Sequence, residues 1–254
     1  MHRLLTVLAL GVVLVGCDSN SPDGPPEVIA PAAFAIDLDA FPDDNARVAA
    51  GPHFLNATVR VGVVTTIIGL NLVLPEAATR AATQVDPVAG DDGETFVWEN
   101  TVDAVDNDVE IRLLADASGS RINWRLTVEN TSDDVEDGPL TLYTASTSFD
   151  GQEGTWRLFD PDVDAAMLTA EFDVDDTPEV TFAVPEGRPE AGTSVRYETD
   201  GAMRTFDFVD ADGVRTLVEW DTETNAGFIE ADDYNGGARA CWDAGLANTA
   251  CESV

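Results

Sequence analysis

SRINWRLTVEN, residues 120–130, alternates without a break: Ile122, Trp124, Leu126 and Val128 fall on one face, Arg121, Asn123, Arg125 and Glu129 on the other. A period of two with one apolar and one polar side marks an antiparallel strand that buries one face and wets the other. Segments of the same kind recur at 95–103, 109–116, 139–149, 154–160, 166–174, 178–184, 193–199, 203–209, 214–221 and 226–232. Turn residues separate them, such as 116–119 (DASG), Asp150-Gly151, Asp200-Gly201 and 210–213 (DADG), which favour tight hairpins. Sequential strands joined by tight turns make a meander, and so many of them cannot lie flat with two free edges. The fold expected is therefore mainly β, of the α+β class: an antiparallel β-meander curled into a barrel or half-barrel. Trp98, Trp124, Trp156, Trp220 and Trp242 stand in or beside these segments and are read as core.

Ahead of the strands, residues 53–74 (HFLNATVRVGVVTTIIGLNLVL) are apolar on nearly every side. Spacings of three and four favour helix while Val, Ile and Thr favour strand, and helix is the reading adopted. The stretch is shorter than a membrane span and carries Arg60 and Asn71, so a buried helix is expected. Pro75 suits the first turn of a short second helix over 76–83, which completes a helical segment 53–84 packed on the sheet. The first helix is either a lid over a cavity or a plug that fills it. Residues 34–41 read as a short first strand.

At the N-terminus, Met-His-Arg precedes an apolar run that ends at Val15-Gly16-Cys17, the pattern of a secretory signal. Residues 14–17 (LVGC) resemble the lipobox of bacterial lipoproteins. The resemblance implies a signal peptide over 1–16, acylation of Cys17 and a membrane as partner through that anchor. Residues 17–33 then form a flexible acidic, Pro-rich tether with an extended reach of roughly 50 Å, and 34–254 form one β-rich domain. The run 151–161 (GQEGTWRLFDP) resembles one unit of MORN-type hairpin repeats, but residues 123–126 (NWRL) are its only echo and no fixed period appears.

With Cys17 acylated, Cys241 and Cys251 are left as a pair and are expected to form a disulfide in an oxidising compartment. The chain holds 48 acids against 13 Arg, for a net charge of −35. Such a surface repels nucleic acid. Acids spread along the whole chain point to adaptation to high salt, where ions screen the repulsion.

Few groups are available for chemistry. Beyond the signal the only His is His53, and there is no Lys, so nucleophilic and Schiff-base mechanisms lack partners. His53 is read as a helix-start residue. Asp160, Asp162, Asp164 and Glu171 occupy the first, third, fifth and twelfth positions of a calcium loop. Ala165 stands where the sharp turn needs Gly, so the segment is read as a solvated acidic turn. Asp103, Asp106 and Asp108, with Asp210 and Asp212, are read as hairpin turns.

No catalytic residue and no cofactor are assigned. As a whole the chain resembles the lipoproteins of salt-adapted marine bacteria, and at fold level the open-barrel lipoprotein carriers that hold acyl chains under a helical lid. The function expected is a non-catalytic binding or structural role in the cell envelope, periplasmic or surface-exposed. The alternatives are a carrier of lipids or other hydrophobes and an acid-pair hydrolase.

Overall fold

The computed structural model describes residues 24–29, 36, 50–103, 108–117, 119–131, 138–163, 165–174 and 177–251. Cys17 and all of the expected first strand except the buried Ile36 lie outside them. Among the described residues, one α-helix, α1 (Pro52–Ala82), precedes a single antiparallel sheet. Its strands are β1 (Val88–Ala89), β2 (Thr95–Asp103), β3 (Asp108–Asp116), β4 (Ile122–Asn130), β5 (Leu140–Thr147), β6 (Glu153–Asp160), β7 (Ala165–Asp173), β8 (Glu179–Ala183), β9 (Ser194–Asp200), β10 (Met203–Val209), β11 (Arg215–Asp221), β12 (Gly227–Ala231), β13 (Ala240–Trp242) and β14 (Asn248–Thr249). Spatial order equals chain order throughout, and β1 and β14 do not pair, so the meander is not closed into a barrel.

Every strand expected from alternation is present. Three further short ones, β1, β13 and β14, are two or three residues long, too short to show a period.

Across the buried face the register interleaves large and small side chains. Phe96, Ala115, Trp124, Ala145, Trp156, Ala170 and Phe182 are successive cross-strand partners on β2 to β8, so Trp124 and Trp156 each lie between two alanines and large and small side chains interdigitate. All five Trp side chains are buried. Two β-bulges, at Leu126/Thr127 and Leu158/Phe159, add the bend that a meander of this length needs.

The contacts of α1 concentrate at the two ends of the strand order, β2 to β5 and β12 to β14, and Arg60 also reaches Thr216 on β11. A flat sheet would bring a helix touching both ends across the middle strands as well. The sheet therefore bends round, and its two ends share one helix. Phe54, Ala57, Val61, Ile68, Leu72, Ala78 and Ala82 enter the core with the strand residues, which makes α1 a plug on this side.

The second helix expected after Pro75 does not exist: α1 runs through Pro75 to Ala82. An internal proline removes one backbone hydrogen bond and costs about 3 kcal/mol. Burial of Ala78, Thr79 and Ala82 beyond it, with hydrogen bonds from Thr79 Oγ1 to the Pro75 carbonyl (2.8 Å) and from Asn100 Nδ2 to the Ala81 carbonyl (2.8 Å), holds the last turns in line.

The start of α1 is held by the end of the chain. The Gly51 amide donates to the Leu246 carbonyl (2.8 Å) and the His53 amide to Asn248 Oδ1 (3.2 Å). Cys241 and Cys251 are disulfide-bonded with their Cα atoms 5.3 Å apart, which ties this C-terminal hairpin. Such a bond suggests a location outside the reducing cytoplasm.

Candidate functional site

Among the described residues, partners of α1 lie on one side of it only. Leu55, Val59, Val63, Ile67, Leu70, Val73 and Leu74 are exposed, from 40% at Leu55 to 70% at Leu70. At 100° per residue they occupy about a third of the helix circumference, opposite the face that carries Phe54, Ala57, Val61 and Leu72. Seven such side chains in line exceed the roughly 300–600 Å² that the largest patch of an ordinary monomer reaches. The expectation of a buried helix therefore holds for one face and fails for the other. Nor is α1 short: its 31 residues rise about 46 Å, and by length and composition it could cross a membrane. In this fold one face is committed to the β core.

The stripe carries no charge. Arg60, beside it, turns away to Thr216 Oγ1 (3.1 Å) and Asp233 (2.9 Å), and the hydrogen bond from Arg60 holds the Asp233 carboxyl below its ordinary range. The signal was present in the sequence as the spacing 55, 59, 63, 67, 70 and 74. A second apolar face on the same helix concealed it, since a helix apolar all round reads as buried.

The chain ahead of α1 is held close to it. Pro26 is buried, Val28 and Ile29 pack on the core, and Pro25, Pro26 and Val28 line one hollow with Glu76, Thr79, Arg80 and Trp98. Of the tether expected over 17–33, residues 24–29 are described, and Pro25, Pro26 and Val28 lie at the C-terminal end of α1.

The other residues singled out from the sequence take structural roles. His53 Nδ1 lies 2.8 Å from the Tyr234 hydroxyl, with the two rings edge to face, at the helix start as expected. Asp160 pairs with Arg188, whose hydrogen bond lowers the Asp160 carboxyl pKa, and accepts the Asp162 amide at 3.0 Å. Glu171 stands opposite Thr155 on β6, five residues from Asp160 and roughly 17 Å along the strand. The first and twelfth positions of the proposed calcium loop are therefore apart; Asp164 lies outside the described residues. Asp210 Oδ1 accepts the amides of Asp212 and Val214, both at 2.9 Å, a hairpin turn. Asp103 and Asp108 are partners at the end of the β2–β3 ladder; Asp106 lies outside the described residues. No group of three or more possible metal ligands occurs among the described residues. A scan against protein-family models and searches of curated proteins and solved structures gave no match, so the functional reading rests on these surfaces alone.

Proposed function

We propose that the chain is an envelope lipoprotein with a non-catalytic binding role, anchored through acylated Cys17 and lying on the bilayer along the uncovered face of α1. The observation that carries this reading is the uncharged apolar stripe from Leu55 to Leu74. The bilayer is favoured as its occupant by where the anchor must be. Residues 18–23 alone separate Cys17 from Gly24, a reach of roughly 25 Å when fully extended, and residues 25, 26 and 28 line a hollow with the C-terminal end of α1. Lipidation at Cys17 therefore keeps the stripe within reach of the hydrocarbon boundary, where an in-plane helix buries its apolar side.

With a net charge of −35, attraction to anionic headgroups has no part in this contact, so apolar burial and the acyl anchor hold the domain together. The carrier alternative needs an apolar space beneath the helix, and there Phe54 of α1 packs on Trp242 and the buried face of the helix joins the strand residues in one continuous core. That packing supports binding by the outer surface instead.

The test is Leu70→Trp in the mature acylated protein, reconstituted in phosphatidylcholine vesicles with brominated acyl chains. The native Trp side chains are buried in the domain and stay bright, whereas emission gained at position 70 is expected to be quenched. Unquenched emission there overturns the membrane reading. Cross-linking of two chains through position 70, without quenching, would replace the bilayer by a second copy.

A further inference from the structure

On the outer face of the sheet, opposite the core, strands β3 to β6 form a hollow of about 740 Å³. Along one register row across it stand Leu114, Arg125, Thr144 and Arg157. Two strand spacings separate the Cα atoms of Arg125 and Arg157 by roughly 10 Å, and Thr144 lies between them. Nine other arginines are described. Eight of them form ion pairs and Arg204 donates to backbone carbonyls. Among the described arginines, Arg125 and Arg157 alone have neither an ion pair nor a side-chain hydrogen bond, in a chain with 48 acids.

That two cations stay unpaired here follows from their neighbours. The row on one side of them carries the neutral Asn123, Ser146 and Thr155, with an acid only at each end, Asp116 on β3 and Glu171 on β7. On the other side Arg112 lies between them and Glu110, and Arg112 itself faces Glu99 at 3.8 Å. The hollow thus holds Arg125 and Arg157 with hydroxyl and amide groups at its centre, while its third arginine, Arg112, and its three acids, Glu110, Glu129 and Asp116, stand at its margins.

We infer that this hollow is a binding site for an oxyanion carried on a hydroxyl-rich scaffold, such as a uronate-bearing saccharide, with Arg125 and Arg157 clasping the carboxylate and Thr144 beneath it. Guanidinium groups suit that task because they present paired donors to a planar oxyanion. Asn123 and Thr155 are placed to meet neutral hydroxyls, and the marginal acids reject a second anionic group. Opposite to α1 across the sheet, the site stays open when the helix face is covered, and it stands independently of the membrane reading.

The experiment is calorimetric titration of the whole mature protein with sodium glucuronate, and separately with glucose, at matched ionic strength. Glucuronate is expected to bind and glucose not. Arg125→Gln and Arg157→Gln are each expected to weaken glucuronate by about tenfold, the loss typical of one charged hydrogen-bonding partner, with unchanged Tm because both side chains are exposed. Arg204→Gln is expected to bind as the parent does. Absence of glucuronate binding, or equal affinity in the Arg125→Gln/Arg157→Gln double variant, overturns the inference.

Discussion

Two glycines on the buried face are fixed by what lies over them. Gly154 faces Phe172 and Gly227 faces Trp242 in register. A Cβ on Gly154 would come within 2.6 Å of the Phe172 ring, and one on Gly227 within 2.5 Å of the Trp242 ring. Gly227→Ala is expected to destabilise the domain by about 1–3 kcal/mol, the usual cost of overpacking, read as a lower urea midpoint with unchanged slope. Gly213→Ala is a poor control because its φ is +82°; Gly62→Ala, with nothing within 4 Å of the added methyl, serves better. Carboxylates set the pH response. Hydrogen bonds from Arg60 to Asp233, from Arg188 to Asp160, from Arg196 to Glu179 and from the Thr95 amide to Asp92 each lower the folded-state pKa. A lowered pKa contributes stability above the unfolded value and loses it as pH falls through the folded one. Urea midpoints are therefore expected to hold from neutral pH down to about 5 and to drop below about 4, where ordinary carboxylates protonate; a midpoint that rises below pH 4 would contradict this assignment.

At the scale of elements, alternation in residues 120–130 and its recurrences was enough to place β2 to β12, because one wet face leaves a period that local sequence displays. The helix was harder to read. Its strength as a plug and its uncovered stripe both come from apolar residues, so the sequence carries no amphipathic contrast, and which face meets the sheet is set by both ends of the strand order, including residues far along the chain, as with Phe54 on Trp242. Pro75 was read by its local meaning, a helix start, and tertiary burial of the following turn overrode it. Of the candidate sites, the free arginines were invisible because pairing depends on register: Arg125 and Arg157 look like any other outward residues until Thr144 is found between them. Pro75→Ala is expected to restore the amide donor to the Asn71 carbonyl and to raise the Tm, with a net gain of about 1 kcal/mol after loss of part of the proline's packing. A lower Tm would mean that packing of the ring outweighs the missing hydrogen bond.

For the whole molecule, charge is the dominant long-range term. A net charge of −35 with ion pairs that are mostly exposed stores self-repulsion that salt relieves, since the screening length falls from about 10 Å at 0.1 M to about 3 Å at 1 M. Raising NaCl from 0.1 to 1 M is expected to raise the Tm, and an equal rise with sulfate at matched ionic strength separates screening from preferential exclusion, which would favour sulfate. The start of α1 also meets the C-terminal hairpin: the amides that open the helix find their acceptors on Leu246 and Asn248. The helix stands early in the chain and its clasp some 195 residues later, so the first turn of α1 cannot be fastened until the hairpin that the Cys241–Cys251 bond ties has been made.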